Sequence, residues 1–280
     1  MCARNKFYMF KDLFLNVHGL GIIDEVSYLL ALFSAVANRI FLNSAMTLGD
    51  FLIKDIRVLN KRKESIFVCQ AKTDELNHVL PYYEQQTWNF MKSIVRLGDI
   101  CVDIGAHIGA YTIPLARIVG SKGLVIAIEP SPANVILEKN VKINQLENVI
   151  IVNKAVFSER TRLSLSFNGR RTGVSSVVFL KTNHKTEVEA APLDEILAEV
   201  LNEGKCTSNR IKLIKIDVEG AEEHVLKGGL KTLGLVDYII VEVIPQREPN
   251  ATNIKRLLIE RGFKLIATLD EINLVFRYQS

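Results

Sequence analysis

Val102-Asp103-Ile104-Gly105-Ala106-His107-Ile108-Gly109-Ala110-Tyr111-Thr112 is the stretch on which the fold turns. The apolar run over 100–104 carries an aspartate near its end, meets two glycines and passes into a helical pattern. That order reads as a strand, a tight loop and a helix start. A second apolar run, Leu124-Val125-Ile126-Ala127-Ile128, closes on Glu129. Glycines let a backbone approach a ligand closely. A carboxylate at the tip of the next strand can accept both hydroxyls of a ribose. Together they describe a socket for a nucleoside with a charged tail.

Glycine spacing separates two ligands for such a socket. A dinucleotide site uses G-x-G-x-x-G, which seats a pyrophosphate on the helix N-terminus. Here the spacing is D-x-G-x-x-x-G, and His107 stands where the second glycine belongs. A side chain there crowds a pyrophosphate. S-adenosylmethionine (SAM) has no phosphate, and its ammonium and sulfonium suit the nearby Asp103. The spacing favours SAM over NAD, and a ligand-free glycine turn stays open as the bland alternative.

With 280 residues, 48% hydrophobic and 24% charged, the chain can bury one large core plus a modest extension. A net charge of +4 and a pI of 8.8 allow nucleic acid without demanding it. Cys2, Cys69, Cys101 and Cys206 form no C-x-x-C pair, and Cys101 falls in a predicted core strand. This excludes a disulfide framework or a zinc site and points to a reducing, cytoplasmic setting. Residues 26–42 are apolar, but Asn38 and Arg39 interrupt them and Asp24 and Glu25 precede them. A spanning helix needs about twenty nearly uncharged residues, and the run starts too late for a secretory signal. The expected state is a buried amphipathic helix. A peripheral membrane contact through residues 24–45, giving a membrane-associated protein, and a homo-oligomer contact are the alternatives.

Residues 1–80 read as an N-terminal extension, a helix plus a β-hairpin packed on the core, and 81–280 as the main domain. In the hairpin, Lys61, Arg62 and Lys63 read as a solvated turn between strands at 55–59 and 65–69. Trp88, Met91, Ile94 and Val95 recur at helical spacing before Gly98. Strands at 100–104, 124–128, 149–153, 211–216 and 238–243 then alternate with helices. An antiparallel insertion at 162–167 and 175–180 turns at Asn168-Gly169, and 263–267 with 272–276 closes the chain as a hairpin. The alternation means an α/β, doubly wound, mostly parallel sheet with a terminal antiparallel hairpin. Ligands in such sheets bind outside the carboxyl ends of the strands. That gathers Asp103, Glu129, the turn after Asn153, Asp217 and Glu242 around one crevice.

Further motifs lie along the chain: Tyr83-Glu84, Glu129-Pro130-Ser131, Asn153-Lys154-Ala155-Val156, Leu193-Asp194-Glu195-Ile196 and Ile214-Lys215-Ile216-Asp217-Val218-Glu219-Gly220-Ala221-Glu222. With the glycine loop, they make residues 80–280 resemble the FkbM family of SAM-dependent methyltransferases. The Lys-x-Asp-Val-Glu-Gly segment, following the others in this order, makes the likeness specific. The resemblance implies a seven-stranded Rossmann-like methyltransferase sheet and SAM as cofactor. It also implies transfer to a hydroxyl of a sugar, glycolipid or other metabolite, so that a small-molecule or carbohydrate acceptor is the expected partner. Carried onto this chain, it places Asp103, Gly105, Ala106, His107 and Gly109 at the methionine end and counts Glu84, Tyr111 and Thr112 among the cofactor-binding residues. It gives Glu129 the ribose hydroxyls, with Pro130 also cofactor-binding, sets Asn153 and Ala155 at the adenine, and puts Asp217 close to the sulfonium and the substrate mouth.

An alcohol is a poor nucleophile while neutral, so a base helps by about 10²–10⁴-fold. Asp217 is the first candidate, alone or through a divalent metal that no motif indicates, with Glu219 beside it. An equal alternative has Asp217 bind the cofactor's amino group. His224, in the next helix, is the third catalytic candidate against a merely packed histidine. His107 is read as shaping the pocket, Lys215 as pointing away from the crevice, and Glu242 as either facing substrate or structural. The rival functions are an RNA or protein methyltransferase and a non-catalytic SAM-binding protein. Arg160, Arg162, Arg170 and Arg171 would suit a phosphate backbone. The chain lacks the Asn/Asp-Pro-Pro-aromatic tetrapeptide that stacks on a flipped base, which disfavours nucleic acid.

Overall fold

The computed structural model describes residues 13–41, 47–61, 63–167, 175–176, 185–201, 210–243 and 250–279. Among the described residues the chain runs through β1 (Val17–Gly19), α1 (Ile22–Phe41) and the hairpin of β2 (Ile56–Asn60) and β3 (Ser65–Cys69). These strands form an antiparallel sheet in the order β1-β2-β3. Two helices, α2 (Glu75–His78) and α3 (Gln85–Ile94), lead to β4 (Ile100–Ile104). The core continues through α4 (Thr112–Val119), β5 (Leu124–Ile128), α5 (Asn134–Ile143) and β6 (Val149–Val152). An insertion follows: β7 (Ala155–Val156), β8 (Thr161–Phe167), β9 (Ser175–Ser176) and β10 (Lys185–Ala191). The chain closes through α6 (Leu193–Leu201), β11 (Ile211–Ile216), α7 (Glu222–Gly228), β12 (Val236–Glu242), α8 (Asn250–Glu260), β13 (Phe263–Leu269) and β14 (Asn273–Tyr278).

The main sheet has seven strands in the order β13-β14-β12-β11-β4-β5-β6. Strands β4, β5, β6, β11 and β12 pair in parallel, and β14 runs antiparallel between β12 and β13. Every residue of β4 and β5 is buried, as expected of parallel strands covered on both faces. The chain winds outward from β4 through β5 and β6, then returns to β11 and winds the other way. The switch point therefore lies between β4 and β11, where Asp103 pairs in register with Lys215. This is the expected α/β doubly wound sheet with its terminal hairpin.

The insertion differs in detail from its sequence pattern. Strand β8 pairs along its length with β10, and β9 covers only its far end. The Asn168-Gly169 turn, Arg170 and Arg171 lie outside the described residues. Alternating charge in Lys185-Thr186-Glu187-Val188-Glu189 hid β10 as a polar connection, although Val188 and the buried Ala190 carry the strand period.

The hairpin is tied to the core by Asn140 of α5 and by Asn144 at its C-terminal cap. Asn140 and Asn144 accept from the backbone N–H groups of Val68 (2.7 Å) and Ile66 (2.9 Å), satisfying the open edge of β3. Below them Phe67, Tyr28 and Leu32 share one apolar cluster with Ile108, Ile113 and Ile136. Helix α1 departs from a fully buried helix. Tyr28, Ala31 and Leu32 are buried, but Ile22, Ile23, Val26, Leu30 and Phe33 are more than half exposed. Among the described residues no helix is long and apolar enough to cross a membrane.

Lys63 overturns the solvated-turn expectation. It is 4% exposed, and its Nζ donates to the Ala110 carbonyl at 3.2 Å. It lies over the rings of Tyr111 (5.2 Å) and Trp88 (5.7 Å). Burial lowers its pKa to about 8, against the pull of Glu84 and Asp103. The unfolded chain therefore holds a proton that the folded chain has released between about pH 8 and 10.5, so stability rises across that window. Lys63→Met is expected to flatten that rise in urea titrations run from pH 7 to 10.5. An unchanged slope would show that Lys63 is not the group responsible.

Candidate active site

The glycine loop is knitted to the strands on either side. Gly105 and Ala106 donate from their backbone N–H groups to the Ile128 carbonyl (2.9 and 3.1 Å), and Asp217 N–H donates to the Ile104 carbonyl at 2.9 Å. Gly105 has φ +82°, and a Cβ there would stand 1.8 Å from the Asp217 carbonyl oxygen. His107 follows at φ 51°, in the left-handed region. Its N–H donates to Glu129 Oε2 at 2.8 Å, and Ser131 N–H donates to Oε1 at 2.7 Å. Burial raises the Glu129 pKa, and these bonds oppose the rise. One backbone N–H on each oxygen, with the Ser131 side chain as a further partner, fixes the carboxylate.

Asp103 lies beneath the loop rather than on the cleft surface. It is 2% exposed and accepts from Thr112 Oγ1 at 2.6 Å. Burial pushes its pKa up to about 6, with the Thr112 bond and Lys215 pulling the other way. Tyr111 turns its hydroxyl to Glu84 Oε2 at 2.6 Å, and Asn273 Nδ2 donates to the same oxygen at 3.1 Å. The loop, the segment before α3 and the start of β14 are thereby locked together behind the cleft.

The cleft floor is a charge network at the tips of β11 and β12. Lys215, 1% exposed, donates to Asp217 Oδ2 at 3.1 Å. Burial alone would lower the Lys215 pKa, but Asp217, Glu84, Glu242 and Asp103 together hold it above the ordinary value. Asp217 also shares a hydrogen bond with Glu242. Burial and the Asp217 charge push Glu242 far up, while Lys215 and that bond keep Asp217 low despite burial. The pair is a carboxylic acid donating to a carboxylate at adjacent strand tips. Lys215 thus contradicts the expectation that it points away; its four-carbon stem reaches along the strand to the tip two residues on.

One cleft joins these parts. Of the residues singled out in the sequence, Gly105, His107, Glu129, Pro130, Ala155, Asp217, Glu219 and Glu242 line it. Glu84, Asp103, Ala106, Gly109, Tyr111 and Thr112 stand behind that lining as its supports. Two candidates lie elsewhere. Asn153 is exposed at the end of β6, and the wall there is built by Lys154, Ala155 and Val156. His224 stacks on Phe157 (4.0 Å, 11°) with Nδ1 3.2 Å from Ser158 Oγ, outside the cleft lining. The sequence pattern missed Leu163 and Leu165, an apolar wall from β8, and His78, delivered by α2. Tyr83, which also lines the cleft, was visible only through the Tyr83-Glu84 resemblance.

The lining suits SAM. The loop has no Cβ at Gly105, and Glu129 is pinned for a diol. Ile128, Val156 and Leu163 offer an apolar slot for a base, and Asp217 faces the other end with negative charge. Among the described residues no cluster of three or more His, Cys, Asp or Glu could hold a metal ion.

A doubly wound seven-stranded sheet with this loop and acidic strand tip defines a nucleoside-cofactor enzyme of the methyltransferase class. A family profile, the methyltransferase FkbM domain, matches residues 103–265, and the chain belongs to that family. It is a SAM-dependent methyltransferase. The chain is 27% identical over 183 residues to Methyltransferase 1 of Beauveria bassiana, covering 58% of this chain and 71% of that one. It is 28% identical over 193 residues to the hexuronic acid methyltransferase AglP of Haloferax volcanii, covering 68% and 73%. A SAM-dependent O-methyltransferase structure from Thermotoga maritima aligns at 16% identity with a TM-score of 0.42, covering 77% of this chain and 74% of that one.

Proposed function

We propose that the chain methylates a hydroxyl oxygen of a carbohydrate or related small metabolite. The observation that carries this is the Asp217–Glu242 pair on the cleft floor, whose proton lies between the two carboxyls and whose remaining oxygens are acceptors suited to the O–H donors of a hydroxyl-rich ligand. A relative that acts on hexuronic acid supports the same class. When bound, SAM supplies an electrophilic methyl group. Glu129 holds the ribose, the 105–109 loop seats the methionine end, and Ala155, Val156 and Leu163 pack on the adenine. Asp103, under the loop, balances the cofactor's ammonium. Asp217 orients the acceptor hydroxyl, and positioning of this kind can supply about 7–11 kcal/mol of barrier lowering.

Glu129→Ala is expected to weaken SAM binding at least tenfold, since a charged hydrogen bond contributes about 1.5–3 kcal/mol. Calorimetry that found unchanged affinity in the folded variant would remove the pocket assignment. The acceptor class is tested with methyl-labelled SAM against a panel of free sugars, uronic acids and glycolipids, with bulk RNA and protein alongside. Label entering RNA or protein while every sugar stays unlabelled would replace this reading with the macromolecular one.

A further inference from the structure

We propose that His78, delivered by α2 and oriented by Asp74, is the general base that takes the proton from the acceptor hydroxyl. The proposal rests on the methyl-transfer reading above and names the residue that reading leaves unassigned. His78 lines the same cleft as Asp217 and comes from ahead of the matched residues 103–265. Its ring meets His107 edge-on at 5.0 Å and Tyr83 at 4.8 Å. Asp74 Oδ2, one helical turn back, stands 3.6 Å from His78 Nε2. That nitrogen is shut off from solvent and makes no hydrogen bond. A carboxylate facing one ring nitrogen sets the tautomer, leaving the other nitrogen with its lone pair. With Nε2–H toward Asp74, Nδ1 is the basic atom. Such contacts are often long in a ligand-free enzyme and tighten in the complex.

Four other titratable groups of the cleft, Asp217, Glu242, His107 and Tyr83, are poor bases. Lys215 and the Glu242 bond hold Asp217 ionised and weakly basic despite burial, and Glu242 already carries its proton. Burial and the neighbouring His78 lower His107 to about 3. Burial drives Tyr83 well above the ordinary phenol range. The groups facing His78 are Asp74 and Glu75 of its own turn, His107 of the loop, Tyr83, and Asp217 across the cleft. In the step proposed, the acceptor oxygen forms the bond to the methyl carbon. The C–S bond breaks with its electron pair going to sulfur, and the hydroxyl proton passes to His78 Nδ1. The products are a methyl ether, a neutral thioether and an imidazolium.

The test needs no identified acceptor. Long-range ¹H–¹⁵N NMR of the full chain, with His78→Gln for assignment, follows the imidazole in complexes with S-adenosylhomocysteine and with sinefungin. Sinefungin carries an ammonium where the methyl group would be. The expected results are an Nε2–H tautomer, and a His78 midpoint lower by about half a pH unit or more with sinefungin, because a nearby like charge disfavours the imidazolium. His78→Gln is expected to bind S-adenosylhomocysteine within about threefold of wild type, less than the tenfold that 1.4 kcal/mol represents. Equal midpoints in the two complexes, an Nδ1–H tautomer, or a tenfold loss of S-adenosylhomocysteine affinity in His78→Gln would each overturn the assignment. Failure of the unaltered chain to bind S-adenosylhomocysteine would instead strike the methyl-transfer reading, and this proposal with it.

Discussion

Gly105→Ala is expected to cost about 2–6 kcal/mol of folding stability and to abolish cofactor binding. Two effects add. A non-glycine residue held at φ +82° carries about 1–3 kcal/mol of backbone strain. The new methyl would stand 1.8 Å from the Asp217 carbonyl oxygen, and overpacking of this kind costs about 1–3 kcal/mol. The neighbour is backbone, tied to Ile104 by the Asp217 N–H bond, so it cannot yield without parting β4 from β11. Any yielding also moves the Asp217 carboxylate off Lys215. Gly98→Ala is the control: φ is +89°, but no atom lies within 4 Å of the added Cβ. It is expected to show the strain alone. Urea unfolding of both variants, with S-adenosylhomocysteine calorimetry, separates the effects. A Gly105→Ala protein as stable as Gly98→Ala, with the cofactor still bound, would remove the close-approach account.

The parts of this enzyme legible in the sequence are those whose partners lie close along the chain or follow a period. The strand, glycine loop and helix at 100–119 announce themselves by apolar runs and glycine spacing. Glu129 follows from its place at the tip of the next strand. The parts that escaped are long-range. Lys63 sits in a run of three basic residues, which reads as solvent-facing. Only the fold brings it under Ala110, forty-seven residues on, between two aromatic rings. His78 lies in a four-residue helix with no motif around it. Lys215 lies inside a strand, a position that reads as pointing away from the crevice. Both faces of that sheet are buried, however, and a buried ammonium must find a carboxylate. Asn153 belongs to a recognisable tetrapeptide, but it is exposed at the strand end, and the three residues that follow it, Lys154, Ala155 and Val156, build the wall.

The second large effect is a non-additive one. Asp217→Asn is expected to cost only about 1–2 kcal/mol, because Glu242 can take over the charge. In the unaltered protein Glu242 is protonated chiefly by burial and by the Asp217 charge and hydrogen bond. Removing that charge lets Glu242 ionise and pair with Lys215. Glu242→Gln should be nearly neutral, since the amide still donates to Asp217. The double variant leaves the Lys215 ammonium, 1% exposed, without its ion-pair partner and with only Glu84 and Asp103 of the four carboxylates that hold it. Losing the partner of a buried charge costs about 3–5 kcal/mol, well beyond the sum of the single changes. The pH dependence supplies an independent check. A carboxyl whose folded pKa is raised above its unfolded value of 4.5 binds a proton that the unfolded chain has released. Stability contributed by Glu242 is therefore complete below about pH 4.5 and is lost as pH rises above it. That downward slope should be shallower in Asp217→Asn and absent in Glu242→Gln. Additive costs in a double-mutant cycle, or an identical slope in all four proteins, would show that Asp217 and Glu242 do not share one proton over Lys215.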